Sequence, residues 1–385
     1  MSGRTLAYRK VRYKATLRTL SPVHIGGGAA EPACRYVIDE ERKKAYVLRE
    51  SFVAEQYASG RITANEYYRR PTPIQRFPRD EKERAQLALY ELKAPSVAHS
   101  LDKEARPFVR NAFGKGYIPG TSVKGALRQA LLFSHIFQDS ALRMKWTERT
   151  RALIGEMKKS NPQTAGAIRR NKEHARPLEE LFRNTSGTER PDPKNDILRA
   201  FSVADSEPSD NGFTLAAANI FSLSGGALKP MIQQQRNGQQ TRSAPLFMEF
   251  LDPGVSFCFS IDIDTALLDS LSRREGVRFR NLIDIVGALK DHAEFTGSLE
   301  STFFDEFDNS GKLWKKEYSG EHLDENEAVI RLGWGCGWMG HSLFPMLAYG
   351  ENDVAESPKS RKALVSGSGK ALSLLGYATL RLEEE

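Results

Sequence analysis

An alternating strand that ends in proline and three glycines is the feature that most restricts the fold of this chain. From Val11 to Leu20 the sequence VRYKATLRTL places apolar residues in turn with basic or polar ones. This period-two pattern predicts a strand with one buried face and one solvent face. Pro22 and Gly26 to Gly28 follow, and they end the strand and leave a backbone that another group can approach closely.

The rest of the chain alternates between strand and helix patterns in both halves. With 385 residues it is longer than one typical domain, so two α+β domains are predicted, at 1–195 and 196–385. The pattern predicts a hairpin over Cys34–Ile38 and Ala45–Leu48, mainly helix over Ser51–Glu91, a second hairpin over Leu246–Leu251 and Val255–Ile263, a helix over Phe279–Ala293, and strands at Val329–Leu332 and Tyr377–Leu382.

Positive charge is concentrated in one quarter of the sequence. The net charge is +7, yet residues 106–195 alone hold 18 Lys and Arg against 8 Asp and Glu, an excess of ten. The remainder of the chain is therefore slightly acidic. Such a block suits a phosphate backbone or another anionic surface, and a solvated basic face without a ligand is the alternative.

A helix start inside this basic block is the strongest local candidate for an anion site. The loop Phe113–Gly120 leads into TSVKGALR, where Thr121 or Ser122 is predicted to cap the helix. The first amides of a helix attract phosphate, and Lys124 and Arg128 share one face at a spacing of four. An ordinary capped helix with two exposed cations explains the same residues.

The sequence gives little support for a metal site, a disulfide framework or dinucleotide binding. Cys34, Cys258 and Cys336 lie far apart without paired spacing, and the seven histidines form no recognised metal motif. Gly335-x-Gly337-x-x-Gly340 matches a dinucleotide pattern, but Pro345 interrupts the helix that should follow. We expect no cofactor and no metal. The absence of a long apolar stretch and of a signal-peptide pattern predicts a cytoplasmic protein without membrane contact.

Four segments, taken together, resemble the RAMP superfamily of CRISPR-associated proteins. They are TLSPVHIGGG at Thr19–Gly28, YIPGTSVKGALRQALL at Tyr117–Leu132, LRAFSVADS at Leu198–Ser206 and RLGWGCGWMG at Arg331–Gly340. The resemblance implies two ferredoxin-like (RRM-like) domains with helical insertions. Within the superfamily, the length, the basic insertion, the late glycine loop and the closing LGYATLRL are most similar to the family of the fifth subunit of the type III-A Csm complex.

This resemblance implies a non-catalytic subunit that caps the 3′ end of the CRISPR RNA and contacts other Csm subunits. These partners are chiefly the backbone RAMP subunit, with the small subunit as a further candidate and target RNA as an indirect partner. The residues then expected at the RNA are His24, Gly26, Gly27, Gly28, Lys124, Arg128, Gly335 and Gly337. Trp334 and Trp338 either stack on bases or pack within the protein.

Two enzymatic alternatives remain open from the sequence. A CRISPR RNA-processing endoribonuclease needs a base that activates a ribose hydroxyl, and His24 is its candidate, with His341 beside the second glycine loop. Each histidine otherwise hydrogen-bonds a turn. A backbone subunit that cleaves target RNA would need a carboxylate in a loop, for which no segment stands out.

Overall fold

The computed structural model describes residues 10–78, 80–159, 181–183, 193–234, 240–242, 244–275, 279, 281–308, 312–337, 340, 342–347 and 360–385. Its helices are α1 (Glu50–Ala58), α2 (Ala64–Arg69), α3 (Glu81–Leu87), α4 (Gly120–Gln138), α5 (Ser140–Lys159), α6 (Thr265–Glu275), α7 (Leu282–Phe307) and α8 (Phe344–Leu347). Its strands are β1 (Lys10–Thr19), β2 (Glu31–Pro32), β3 (Tyr36–Asp39), β4 (Lys44–Leu48), β5 (Ala88–Lys93), β6 (Glu104–Arg106), β7 (Phe201–Val203), β8 (Phe213–Ser224), β9 (Ala227–Pro230), β10 (Ile232–Gln234), β11 (Gln240–Arg242), β12 (Leu246–Leu251), β13 (Ser256–Asp264), β14 (Glu327–Arg331), β15 (Ser360–Val365), β16 (Ala371–Leu374) and β17 (Tyr377–Glu384).

The first sheet is antiparallel and has the strand order β14-β17-β1-β13-β7. The predicted strand at Val11–Leu20 is confirmed as its central member. Tyr13, Ala15 and Leu17 are buried, whereas Lys14 and Arg18 on the other face are exposed. Helices α4 and α7 pack against each other, with α4 also against β7 and α7 against β14, while α6 packs on β1 and β13. The helices therefore cover the apolar side of this sheet.

The second sheet follows the order β2-β6-β12-β8-β5-β4-β3, with β15 and β9 also paired to β8. The predicted hairpin over Cys34–Ile38 and Ala45–Leu48 is present as β3 and β4. The end of the helical segment predicted over Ser51–Glu91 is wrong, because residues from Ala88 onward form strand β5. Alternation of buried Ala88 and Leu92 with partly exposed neighbours explains why this stretch pairs with β4.

The second predicted hairpin is wrong in its pairing, although both of its strands exist. β12 pairs with β8 and β6 in the second sheet, whereas β13 pairs with β1 and β7 in the first. Two hydrogen bonds of Thr19, at the end of β1, explain why β12 and β13 belong to different sheets. Its backbone N–H donates to the Val255 carbonyl at 3.0 Å, and its own carbonyl accepts from Gly254 N–H at 2.7 Å. The Asp-Pro-Gly turn therefore connects two sheets.

The α+β class is confirmed, and the sheets do not follow the expected division at residues 195 and 196. β1 precedes that point and is the centre of a sheet whose other strands all come after it. In the second sheet, β5 pairs with β8 across the same point. Each sheet thus joins segments from both ends of the sequence, which brings distant motifs into contact.

Candidate functional site

The start of α4 lies next to two other sequence motifs, Leu198–Ser206 and Arg331–Gly340. Gly120 N–H donates to Asp205 Oδ1 at 2.8 Å, and Ile118 N–H donates to Ser206 Oγ at 2.9 Å. A β-carbon at Gly120 would lie 2.2 Å from the Val203 carbonyl oxygen, so only glycine allows this approach. The segment Tyr117–Leu132 is therefore closely packed on the segment Leu198–Ser206.

The predicted cap of this helix is wrong. Neither Thr121 nor Ser122 caps it, since α4 begins at Gly120 with Pro119 in the capping position and no side-chain cap from its own turn. Asp205 supplies the carboxylate instead, from a segment 85 residues away in sequence. An acidic group at a helix N-terminus is stabilised by the helix dipole and the free amides. The first amide, which was expected to hold a phosphate, thus has an internal partner.

Lys124 and Arg128 differ in what they contact. Lys124 Nζ donates to the Phe201 carbonyl at 2.7 Å, and burial lowers the pKa of Lys124. Arg128 Nη2 lies 3.3 Å from Asp196 Oδ2, which Arg183 Nε also contacts at 2.9 Å. The Arg128 Nε is buried and has no hydrogen-bond partner among the described residues. Lys124 is therefore held inward, while Arg128 keeps an unsatisfied donor.

His24 is a buried member of a turn. Its side chain is 3% exposed, and its Nδ1 lies 2.8 Å from the Glu249 carbonyl oxygen. A carbonyl only accepts, so Nδ1 carries the proton. Burial lowers the pKa of His24, which keeps the imidazole neutral near pH 7. The rings of Phe108 and Phe250 pack edge-on against it. The turn-stabilising interpretation of this histidine matches these contacts.

The first glycine loop, Gly26 to Gly28, lies exposed beside Phe108. A β-carbon at Gly27 would come within 2.8 Å of the Phe108 carbonyl oxygen, so the protein's own backbone accounts for that glycine. Gly28 has a φ of +129° and open space around it. Gly26 also faces solvent. This loop therefore offers exposed backbone to a ligand, and its contact with RNA stays a prediction.

The second glycine loop packs directly on the first motif. Trp334 N–H donates to the His24 carbonyl at 2.8 Å, and a β-carbon at Gly333 would lie 2.1 Å from that same oxygen. Gly335 is buried, and a β-carbon there would come within 2.5 Å of Leu375. Gly337 has a φ of +61°, and its β-carbon position lies 3.9 Å from the Gly335 carbonyl oxygen, which is an ordinary contact. The contact with Leu375 thus explains why residue 335 is glycine, and the left-handed backbone explains why residue 337 is glycine.

The aromatic residues of this loop are only partly accounted for. Trp334 is half-buried against the main core, and Lys362 lies over its ring at 4.3 Å while donating to its carbonyl. These contacts favour packing for Trp334. Trp338 and His341 lie outside the described residues, as do 160–180 and 184–192 of the basic block.

A cleft of about 370 Å³ separates the first turns of α4 from the second glycine loop. Arg128 and Gln129 lie on the α4 side, and Arg331 lies on the loop side. Gln129 is 8% exposed, and its Nε2 has no hydrogen-bond partner among the described residues. Arg331 donates to Glu300 Oε1 and the Gly335 carbonyl, both at 3.0 Å, yet its Nε has no such partner. Three residues that line the cleft thus each hold a buried donor without a hydrogen-bond partner among the described residues, and the two guanidinium groups are paired with Asp196 and Glu300.

The chemistry of this cleft suits binding of anionic, hydroxyl-rich molecules. Its described lining holds guanidinium, amide and hydroxyl groups, and no Asp, Glu or His occurs among the described lining residues. Guanidinium groups bind phosphate, and an amide donates to a ribose hydroxyl or a base edge. Within the described part of the chain no cluster of three His, Cys, Asp or Glu could hold a metal ion. No described helix is both long and apolar enough to cross a bilayer.

Gln129 and Arg331 were missed by the sequence reasoning. Gln129 is a polar residue between the apolar positions Leu127 and Ala130 of a buried helix face. A polar residue that interrupts an apolar face is the sequence pattern that could have identified it. Arg331 lies within the predicted strand Val329–Leu332, where no local pattern distinguishes a ligand-binding cation from a surface one.

Comparison with known proteins supports one family. A family model described as the RAMP superfamily matches residues 16–340. A curated protein of Streptococcus thermophilus, described as "CRISPR system Cms protein Csm5", is 30% identical over 138 residues, which is 31% of this chain and 38% of that protein. The match thus spans well under half of the curated relative.

Two solved structures share the fold. A chain of the "Csm-crRNA-target RNA ternary complex in type III-A CRISPR-Cas system" superposes with a TM-score of 0.59 at 20% identity, covering 96% of this chain and all of the other. The crystal structure of T. onnurineus Csm5 gives a TM-score of 0.53 at 19% identity, covering 94% of this chain and 99% of that one. At these identities the similarity establishes the fold, and it agrees with the predicted ferredoxin-like architecture.

Proposed function

The chain belongs to the RAMP superfamily, and on that premise we propose that it is a guide-RNA-binding and assembly subunit of a type III-A CRISPR effector complex. In this role it caps the 3′ end of the CRISPR RNA, supports its maturation in antiviral defence, and cleaves no RNA itself. The similarity to a Csm5 protein and to a chain of a Csm complex supports this assignment.

One observation carries the proposal: three residues that line the cleft at the start of α4 each hold a buried donor that has no hydrogen-bond partner among the described residues. Arg128, Gln129 and Arg331 would donate to phosphate and ribose oxygens, and the exposed backbone of the Gly26–Gly28 loop would approach the sugar-phosphate chain. Lys124, Gly335 and Gly337 would support the cleft from inside. Its described lining holds no Asp, Glu or His, and burial raises the pKa of its Cys336 thiol to about 11, which favours binding over cleavage.

The deciding experiment reconstitutes the complex with and without this chain and measures the length of guide RNA protected at the 3′ end. The complete complex is expected to protect a longer 3′ segment, and Arg128→Met with Gln129→Met should shorten the protection. Equal protection with and without the chain would refute the capping role.

The enzymatic alternatives are tested with the purified chain. Metal-independent cleavage of repeat RNA that His24→Ala abolishes, with folding preserved, would identify a processing endoribonuclease. Cleavage of a guide–target duplex at regular spacing would identify a backbone subunit that cuts target RNA. We expect no cleavage of repeat RNA, because the His24 side chain is only 3% exposed, and none of the duplex, because no loop carboxylate stands out in the sequence.

A further inference from the structure

The outer face of α7 has the opposite electrostatic character from the cleft. The 26 residues of this helix contain six Asp and Glu but one lysine. Glu300 points inward, where it pairs with Arg331 and Arg361. Lys290 donates to the Asp324 carbonyl at 2.9 Å. The remaining acidic residues lie on exposed or half-buried positions: Asp284, Asp291, Glu294, Asp305 and Glu306. An RNA backbone is repelled by such a face.

Two grooves border this face at Glu294 and Ser298. One of about 370 Å³ lies between α4 and α7 and has Phe137 and Phe295 in its wall, with ring centroids 5.1 Å apart. Phe133 stacks on Phe137 at 4.2 Å beneath them. The other groove, of about 900 Å³, lies between α7 and the segment that precedes β14. It is lined by two small residues of α7, Ala293 and Gly297, and by the side chains of Trp314 and Leu323.

The charges at these grooves are unevenly compensated. Asp291 and Glu294 border the aromatic groove and have no ion-pair partner among the described residues. In the larger groove, by contrast, Lys316 already pairs with Glu321 at 3.0 Å. Arg143 lies over the Phe137 ring at 4.9 Å, so one cation–aromatic contact already exists at the edge of the aromatic groove. An incoming group should therefore be apolar at its centre and positive at its edges.

From this charge pattern we infer that the aromatic groove between α4 and α7, on the outer face of α7, docks a basic amphipathic helix of a neighbouring protein subunit. Apolar side chains at helical spacing would enter the groove at Phe137 and Phe295, and Lys or Arg would pair with Asp291 and Glu294. The inference rests on the proposed function, because it requires a neighbouring subunit. It assigns the RNA and the protein partner to separate faces of the α4–α7 pair.

The test reverses charge at the groove and, as a matched control, on the same helix away from it. Asp291→Lys with Glu294→Lys is expected to lower incorporation into the reconstituted complex at least tenfold. Asp305→Lys with Glu306→Lys changes the charge equally but lies outside both grooves, and it should incorporate as the wild type does. Guide RNA affinity of the isolated chain should be the same for both variants, and circular dichroism should show both folded.

A direct probe separates this inference from the proposed function. A synthetic amphipathic helix with Leu on one face and Lys on its flanks should bind the full chain, and its Glu-flanked counterpart should not. If the wild type fails to join the complex, the proposed function fails, and the peptide still decides the docking surface. Equal incorporation of both variants, or binding of the peptide that is unaffected by Asp291→Lys with Glu294→Lys, would overturn the inference.

A photo-crosslinker at the exposed Ser298, between the two grooves, identifies the occupant in the assembled complex. Crosslinks to another protein subunit are expected. Crosslinks to RNA, or to a second copy of this chain, would show that the occupant has a different nature and would refute the docking surface as stated.

Discussion

The cleft at the start of α4 and the outer face of α7 are two surfaces of one packed helix pair, and they are built in opposite ways. The cleft depends on glycines that allow backbone contacts, and it holds buried donors without partners. The α7 face has carboxylates around an aromatic groove. Unsatisfied buried donors cost stability, whereas a solvated acidic face costs little. The proposed roles follow this difference, with a polar ligand in the cleft and a protein partner on the α7 face.

Replacing a glycine by alanine should give the largest difference in stability between the start of α4 and α7. In Gly120→Ala the added carbon would meet the carbonyl oxygens of Val203 and Ala204 at 2.2 and 2.8 Å. We expect the free energy of unfolding to fall by about 1–3 kcal/mol or more. Gly287 on α7 has nothing within 4 Å of its β-carbon position, so Gly287→Ala should raise it by about 0.5–1 kcal/mol. Denaturant titration measures both.

Gly125→Ala provides the control within α4 itself. This glycine lines the cleft, but no atom lies within 4 Å of its β-carbon position. The substitution should stabilise the helix and not disrupt it. If Gly120→Ala were as stable as Gly125→Ala, close backbone packing at the helix start would not be required, and the contrast with α7 would lose its basis.

Acid should destabilise the fold through two histidines, His24, which contacts the second glycine loop, and the partly buried His292 of α7. Burial lowers the pKa of His292 on α7 to about 4, and it also lowers the pKa of His24. A histidine held neutral in the fold binds its proton more readily when the chain is unfolded. The contribution of His292 to the free energy of unfolding should therefore be constant above roughly pH 6.5 and fall toward pH 4, by up to about 1.4 kcal/mol per pH unit, and His24 acts in the same direction.

Replacement of His292 isolates its share of this effect. His292→Leu should flatten the pH dependence of unfolding between roughly pH 6.5 and 4, measured against the wild type. His322 is exposed, so His322→Gln serves as the control and should leave the profile unchanged. An unchanged slope in His292→Leu would mean that this histidine is protonated in the fold as readily as in the unfolded chain.

The unsatisfied amide of Gln129 gives opposite predictions for stability and for binding. An unpaired buried donor costs about 1–3 kcal/mol, so Gln129→Met should raise the free energy of unfolding by about 1 kcal/mol. The same change should weaken guide RNA binding, because it removes a donor from the cleft. Gln138 lies on the same helix at the aromatic groove of α7, and Gln138→Met should leave RNA affinity unchanged. Equal RNA affinity in all three proteins would remove Gln129 from the site.

Local patterns predicted the strands well because a period-two alternation survives in any sheet. β1 and β17 lie where the sequence places them, and Phe257, Phe259, Ile261 and Ile263 share the buried face of β13 as expected. Pairing was the failure. The Asp-Pro-Gly turn is a strong hairpin signal. Thr19, more than 230 residues away in sequence, forms hydrogen bonds with that turn, and β13 pairs with β1 instead of β12. No local pattern encodes such a contact.

The candidate site was predictable only in outline, for the same reason. The sequence identified the four segments, but not that Asp205 caps α4 or that Gly333 and Gly335 are glycines because of His24 and Leu375. These roles depend on which backbone lies opposite, and that is decided by the tertiary fold. Gln129 could have been singled out as a polar residue on an apolar helix face, since burying an amide requires a reason.

The smallest expected effect distinguishes Lys124 from Arg128, which the sequence treats as an equivalent pair at a spacing of four. Arg128 lines the cleft with an unsatisfied Nε, whereas Lys124 Nζ donates to the Phe201 carbonyl and does not belong to the described lining. Each phosphate contact to a single strand contributes about 0.7 to the slope of log K against log salt concentration. Arg128→Met should therefore make the salt dependence of guide RNA binding shallower by about 0.7, and Lys124→Met should leave it unchanged. A matching loss in both variants would mean that Lys124 turns outward to the RNA, and no loss in either would mean that the RNA backbone does not follow this cleft.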